Sequence, residues 1–174
     1  MGEVKQNYYI NLPCKPVVKQ YLVNRYGERS NMPEGEWVKL LLINLLQRST
    51  GEDDKDITLQ YYTAMAVIPI TYDQFQRYGD TLSKTAIREI NNRVEDVIRQ
   101  QLFQFLEFFV HVANYQLKDA IYMFQEVYAL PEDVYAAETI KKYYQRKIQP
   151  FVNARSFIAV NVPFKKKRKY NRAA

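Results

Sequence analysis

The segment PEDVYAAETIKKYYQRK, residues 131–147, carries residue types suited to contacting phosphate and base edges. Lysine offers a point charge to phosphate, whereas glutamine and arginine carry the paired hydrogen-bonding groups that discriminate between bases. Helical spacing places Ala136, Ile140 and Tyr144 on one inward face, which Tyr143 widens. The outward residues that we expect to contact nucleic acid are Lys141, Lys142, Gln145, Arg146 and Lys147.

The same segment also has a purely structural interpretation. Pro131, Glu132 and Asp133 suit a helix N-terminus, and basic residues near a helix C-terminus interact favourably with the helix dipole. An ordinary capped surface helix would therefore show the same pattern. Both interpretations stay open on the sequence alone.

A second basic cluster ends the chain, and its six members are Lys165, Lys166, Lys167, Arg168, Lys169 and Arg172. Residues 1–137 contain 14 basic and 18 acidic residues, a net charge of −4, whereas residues 138–174 contain 11 basic residues and one acidic residue, a net charge of +10. Such asymmetry indicates a segment that binds a polyanion, most often nucleic acid. The alternative is a solubilising tail without a partner.

No group of residues has the spacing of a catalytic or metal site. The single histidine, His111, lies among phenylalanines and is expected to be a buried or half-buried packing residue. The single cysteine, Cys14, has no histidine near it in the sequence, and the five glycines form no phosphate-binding loop. The acidic loop over 49–56 lacks calcium-loop spacing. We therefore expect no catalytic residue, metal or cofactor, and no enzymatic activity.

The cysteine count and the apolar stretches indicate the cellular compartment in which the protein is expected. One cysteine excludes an internal disulfide and suits a reducing cytoplasm. The first residues do not resemble a secretory signal, and the most apolar stretch, residues 102–113, is shorter than the roughly 20 residues that a membrane span requires. We expect a cytoplasmic protein of a bacterial host without a membrane segment, or alternatively a virion component.

Periodicity predicts the elements in the first half of the chain. A strand over 8–13 is followed by a helix from Pro16 to a cap at Gly27, and a strand over 59–70 is expected to pair with the first one. A short helix runs from Thr71 to Gly79. The intervening helix, within 32–47, is expected to bury Trp37, Leu40, Leu41, Asn44 and Leu45.

The second half is predicted to be mainly helical. Ser83 begins a helix of about eight turns whose apolar stripe reaches Ala113, and whose C-terminal half is expected to be covered by the core or by a second subunit. The next helix, over 117–130, is expected to direct Ile121, Phe124, Val127 and Tyr128 inward. A short turn then leads to the opening segment, which gives a helix-turn-helix outline over 117–148. A weak strand is expected over 156–164.

These elements predict an α+β fold that is mainly α with a small β-sheet. We expect one domain of about six helices over residues 1–163, with the helix-turn-helix-like pair at its end, and a basic tail over 164–174. The 25 aromatic residues also suggest an aromatic surface for self-association or for a protein partner.

Three segments resemble a pattern of small, uncharacterised proteins from phages and mobile elements of gut anaerobic bacteria. The segments are NLPCKPVVKQYLVNRYG, ITYDQFQRYGDTLSKTAIREIN and AIYMFQEVYALPEDVYAAETIKKYYQR, within residues 11–146. The resemblance implies a phage or mobile-element origin and a DNA-related role, and it carries no catalytic residues. Together with the charge pattern it predicts a regulatory or accessory protein that binds DNA, or RNA. The alternative is a virion or assembly protein whose aromatic residues face neighbouring copies.

Overall fold

The computed structural model describes residues 8–48 and 60–153. Its elements, in chain order, are β1 (Tyr8–Cys14), α1 (Pro16–Tyr26), α2 (Trp37–Leu45), β2 (Leu46–Gln47), β3 (Ala64–Ile70), α3 (Tyr72–Tyr78), β4 (Thr81–Leu82), α4 (Lys84–Leu106), π1 (Glu107–Val112), α5 (Leu117–Val127), α6 (Ala137–Tyr143) and π2 (Tyr144–Ile148). The π elements are helical turns with a wider hydrogen-bonding pattern than an α-helix. This arrangement confirms the predicted α+β class, mainly helical with a small β component.

The two predicted strands pair as expected. β1 and β3 are antiparallel, with Tyr8 opposite Ile70 and Cys14 opposite Ala64. Alternate residues of β1 are buried because successive side chains point to opposite faces of a sheet. A second two-stranded sheet joins β2 to β4. It was not predicted, since each of its strands has only two residues.

Glycine caps end two helices where the sequence predicts them. Gly27 follows α1 with a φ of 80°, and Gly79 follows α3 with a φ of 90°. The backbone N–H of each cap donates to a carbonyl of the last helical turn. At its other end α3 begins with a capping box, in which Thr71 and Gln74 each accept a backbone N–H of the other.

The long helix α4 is the central element of the core. Ser83 begins it by accepting a hydrogen bond from the N–H of Ala86 at 3.1 Å. The predicted stripe is buried at Ile87, Ile90, Val94, Ile98, Leu102 and Leu106. The helix packs against α1, α2, β1 and α5, and its buried residues belong to one hydrophobic cluster with theirs. The predicted extension toward Ala113 is also helical, but as π1.

Several predicted inward faces are wrong. In α2 the buried residues include Val38, Leu42 and Ile43, whereas Leu40 and Asn44 are exposed. The sequence WVKLLLINL is apolar on most sides, so its periodicity does not select one face. In α5 Val127 is 64% exposed.

The core of the chain leaves part of the C-terminal end of the long helix exposed, and covering by a second subunit stays a prediction. On π1, Phe108 is 52% exposed and Val112 is 65% exposed. The expected covering by the core is therefore wrong at these two positions. The predicted loop over 49–56 and strand over 156–164 lie outside the described residues.

Candidate nucleic-acid interface

The helix that carries the predicted contacts begins later than expected. α6 begins at Ala137, not at Pro131, and nine residues, 128–136, separate it from α5. The short turn of a helix-turn-helix has about three or four residues, so that part of the prediction is wrong. Glu132, which was expected in the first helical turn, instead lies before the helix begins. The Glu132 carboxylate accepts the N–H of Ala137 at 2.9 and 3.0 Å.

Glu132 is itself held by a neighbouring side chain. Gln125 of α5 donates one hydrogen bond to Glu132 at 2.9 Å and another to the carbonyl oxygen of Tyr135 at 2.7 Å. These bonds from Gln125 and from Ala137 N–H lower the pKa of Glu132 below its usual value, because they favour the ionised form. The connecting segment thus fixes where α6 starts and how it lies against α5.

The predicted division of α6 into inward and outward residues is confirmed. Ile140, Tyr144 and Ile148 are buried at intervals of four residues. Ala136 is half-buried, as is Tyr143. All five residues that were predicted to contact nucleic acid are exposed, namely Lys141, Lys142, Gln145, Arg146 and Lys147.

The exposed cations of this helix do not all share one surface. Lys142, Arg146 and Lys147 line a cleft of about 400 Å³, and Arg99 of α4 lines the same cleft. We name this feature the cationic cleft. Its other lining residues are Val17, Glu95, Ile98, Tyr135, Thr139 and Tyr143. Lys141 lies elsewhere, in the groove between α5 and α6, where its Nζ is 3.9 Å from the Glu138 carboxylate.

An acidic residue, Glu95, also lines the cleft, and two cations hold it. The side chain of Glu95 is 10% exposed. Its Oε1 lies 2.5 Å from Lys15 Nζ, and its Oε2 lies 2.9 Å from Arg99 Nη2. Asp96 adds a longer contact to Arg99 at 3.4 Å. Glu95 therefore orients Arg99 toward the cleft, and its own charge is offset by that of Lys15.

Two tyrosines contribute hydroxyl groups to the cleft. Burial raises the pKa of both Tyr135 and Tyr143, and the charge of Arg99 partly opposes the shift. A raised pKa means that both phenols keep their protons at neutral pH. They can then donate hydrogen bonds to an anion. Thr139 adds a third hydroxyl.

Arg99, Tyr135 and Tyr143 were not among the predicted site residues. In the sequence Arg99 follows Glu95 by four positions and is typical of a surface ion pair on a helix. Nothing in its own segment indicates that α6 packs beside it. The positive charge of Arg99 was the one signal that could have pointed to it.

His111 and Cys14 have different surroundings from each other. His111 is exposed, contrary to the prediction, because it lies on the outer side of π1. Its Nε2 is 2.9 Å from the Tyr144 hydroxyl, and the two rings are stacked. Cys14 is buried in the core, and burial raises the pKa of its thiol to about 11. The thiol is therefore protonated at neutral pH and poorly nucleophilic.

The predicted tail residues lie outside the described residues; they are Lys165, Lys166, Lys167, Arg168, Lys169 and Arg172. Within residues 8–48 and 60–153, His, Cys, Asp and Glu form no group of three or more that could hold a metal ion. No helix in these ranges is long and apolar enough to cross a membrane.

Comparison of the chain with protein-family models, curated proteins and solved structures finds no match.

Proposed function

We propose that the protein binds nucleic acid through the cationic cleft, as a DNA-binding regulatory or accessory protein of a phage or mobile element. The position of Arg99 carries the proposal, because Arg99 lines the same cleft as Lys142, Arg146 and Lys147 although it lies on another helix. Four cations and one carboxylate, that of Glu95, line one concave surface, and their net positive charge attracts phosphate. RNA carries the same backbone charge, so it is included in the test below.

The charge distribution along α6 favours one orientation on the ligand. Glu132, Asp133 and Glu138 surround its N-terminal end, whereas the cations lie toward π2. In a helix-turn-helix the N-terminal residues of the recognition helix contact bases. Acidic side chains there would be repelled by the phosphates that flank the groove. We therefore propose that the side of the helix, rather than its N-terminal end, lies against the backbone.

This orientation gives the other predicted residues different roles. Gln145 is exposed without lining the cleft, so it is free to contact a base edge beside the bound backbone. Lys141, paired with Glu138 in the neighbouring groove, contributes a weaker attraction. Lys142 and Arg146 contribute most.

The test compares charge removal inside and outside the cleft. A variant with Arg99→Gln, Lys142→Gln and Arg146→Gln is measured by fluorescence anisotropy against labelled duplex DNA, single-stranded DNA and RNA, over a range of salt concentrations. We expect weaker binding and a shallower dependence of log K on log salt concentration, by roughly 0.7–0.9 for each phosphate that the variant no longer neutralises. The matched control is Arg29→Gln with Arg77→Gln and Arg88→Gln, three exposed cations that do not line the cleft. Equal slopes for wild type and the cleft variant would overturn the proposal.

The exposed aromatic residues on and after π1 favour a second candidate, a virion or assembly protein. Phe108 and Tyr115 are exposed, and both rings contact Phe109 at centroid distances of 5.2 and 5.5 Å. In an assembly these rings would face a second copy of the chain. Light scattering of wild type and of a Phe108→Ser, Val112→Ser variant tests this candidate. A wild-type monomer at high concentration would exclude it. The first proposal places the protein in the bacterial cytoplasm and the second in the virion.

A further inference from the structure

Part of the lining of the cationic cleft is aliphatic or aromatic, and binding of a phosphate alone does not require such side chains. Besides the cations, the cleft is lined by Val17, Ile98 and the two tyrosines, Tyr135 and Tyr143. Aliphatic and aromatic side chains gain little from a phosphate group, which keeps its water. They do suit the flat apolar face of a nucleobase, and aromatic rings stack on bases of any identity.

We infer that the cleft accepts one unpaired nucleotide, so that the preferred ligand is single-stranded nucleic acid. This inference rests on the proposed function and specifies its substrate class. The base lies on Tyr143 and Ile98, and the phosphate lies toward Arg99, Lys142 and Arg146. Duplex DNA keeps its bases stacked and paired, and would present only phosphates to the cleft.

The dimensions of the cleft agree with one nucleotide. Its volume of about 400 Å³ lies in the range of small-molecule sites, which is roughly 300–1,000 Å³. Lys142 and Arg146 are four residues apart, so both reach the same side of α6 and π2. The fixed position of Arg99, held by Glu95, places a third cation on the facing helix.

The tyrosine hydroxyls match the same ligand. Because Tyr135 and Tyr143 stay protonated, their hydroxyls are hydrogen-bond donors and carry no negative charge. Donors of this kind bind phosphate or sugar oxygens. The apolar side chains, hydroxyls and cations that line the cleft therefore offer each part of a nucleotide a complementary group.

The experiment separates the ring of Tyr143 from its hydroxyl. Anisotropy is measured with labelled oligothymidylate, oligouridylate and a duplex of equal length, at one salt concentration. We expect Tyr143→Leu to weaken binding of both single strands by about tenfold, a typical stacking contribution, and to leave duplex binding unchanged. Tyr143→Phe keeps the ring and loses only one hydrogen-bond donor, so it should weaken binding of the single strands clearly less than Tyr143→Leu does. Tyr122→Leu, at an exposed tyrosine that does not line the cleft, is the control.

A measurement on the unchanged protein keeps the inference testable if Tyr143→Leu does not fold. Photocrosslinking with oligonucleotides that contain 5-iodouracil joins the base to a nearby aromatic side chain. Peptide mapping should then place the crosslink on Tyr143 or Tyr135. Crosslinks confined to other tyrosines would overturn the inference.

The outcomes distinguish this inference from the proposed function. If the cleft charge variant weakens all ligands while Tyr143→Leu alters none, the cleft binds only the backbone and the inference is wrong. Tighter binding of wild type to duplex than to single strands would overturn it as well. If the charge variant alters no ligand, the proposed function itself is wrong.

Discussion

At the scale of single residues, the side chain of Asn91 links the first strand, β1, to the long helix, α4. It is fully buried, and its Nδ2 donates to the carbonyl oxygens of Pro13 and Ile87 at 3.1 and 2.8 Å. Its Oδ1 accepts the N–H of Lys15 at 3.0 Å. Buried polar groups that lose their partners destabilise the folded state. Asn91 therefore holds Lys15 where its side chain can reach Glu95, and so acts indirectly on the cationic cleft.

Replacement of Asn91 tests this role. In Asn91→Ala the N–H of Lys15 and the carbonyl of Pro13 lose a buried partner, and we expect the free energy of unfolding to fall by about 2–4 kcal/mol. Urea denaturation measures the change. Asn92→Ala, at the exposed neighbouring position, is the control and should stay within about 0.5 kcal/mol of wild type. A decrease below about 1 kcal/mol at Asn91 would mean that water satisfies these groups.

A residue of the candidate site could be predicted from the sequence only where the periodicity of its own helix determines its exposure. The exposure of Lys142 and Arg146 follows from helical spacing around Ile140, because a helix with one buried stripe leaves its other side to solvent. Arg99 could not be predicted in the same way, since its membership of the cleft depends on how α4 and α6 pack.

At the scale of elements, a glycine cap ends each of two helices, but the space around the two glycines differs. Both Gly27 and Gly79 have positive φ, which glycine adopts without strain. A Cβ on Gly27 would meet no atom within 4 Å, whereas a Cβ on Gly79 would overlap the carbonyl oxygen of Gln47. The second cap therefore also allows the close approach of the strand β2.

The two caps should respond differently to the same substitution. Gly27→Ala meets only backbone strain, at φ 80° and ψ 174°, a region that side-chain-bearing residues rarely adopt, and we expect a decrease of about 2 kcal/mol in unfolding free energy. Gly79→Ala adds a backbone clash, so we expect a decrease of at least about 3 kcal/mol. Gly35→Ala, with open space and no positive φ, should be nearly neutral. Thermal and urea unfolding of the three variants provide the comparison. Equal effects at Gly27 and Gly79 would contradict the close approach.

The start of α6 should depend on pH through Glu132. Its folded pKa lies below the unfolded value, because Gln125 and Ala137 N–H donate to the ionised carboxylate. Its stabilising contribution is thus fully present above the unfolded pKa and is lost as pH falls through the folded pKa. We expect Glu132→Gln to lower the melting temperature at pH 7, and we expect its difference from wild type to shrink as the pH falls below the unfolded pKa and through the folded pKa.

Thermal unfolding followed by circular dichroism across this pH range measures the difference. Asp133→Asn removes the same charge at the neighbouring exposed residue and serves as the control. A difference between wild type and Glu132→Gln that persists unchanged at low pH would contradict the role of the ionised carboxylate.

Element types were more predictable than element boundaries. The pairing of β1 with β3 and the caps at Ser83, Thr71 and Gly79 follow from local residue types. The start of α6 does not, because Pro131, Glu132 and Asp133 suit a helix N-terminus equally well at several positions. Side-chain bonds from Gln125, ten residues before Tyr135, decide where the helix begins. Such a contact has no periodic signal in the sequence.

At the scale of the whole molecule, the charge asymmetry has two parts. The cleft is lined by Lys142, Arg146 and Lys147 of the basic C-terminal segment. It is also lined by Arg99, which belongs to the mildly acidic first 137 residues. Most of the remaining excess of positive charge belongs to the six basic residues over 164–174, and Arg155 adds one further charge. This excess is counted directly from the sequence. The sequence did not predict that Arg99 of α4 would line the cleft, since that depends on packing.

Deletion of residues 165–174 tests whether tail and cleft bind one ligand. The deletion removes six basic residues outside the predicted core, so the fold should be retained. We expect weaker binding and a salt slope lowered by roughly 0.7–0.9 for each phosphate released. If tail and cleft contact different phosphates of one strand, the slope reductions of the deletion and of the cleft charge variant should add when combined. If they compete for the same phosphates, the combined reduction should be smaller than the sum. An unchanged slope after deletion would exclude the tail as a phosphate contact and leave binding to the cleft, in which the Glu95 carboxylate holds Arg99.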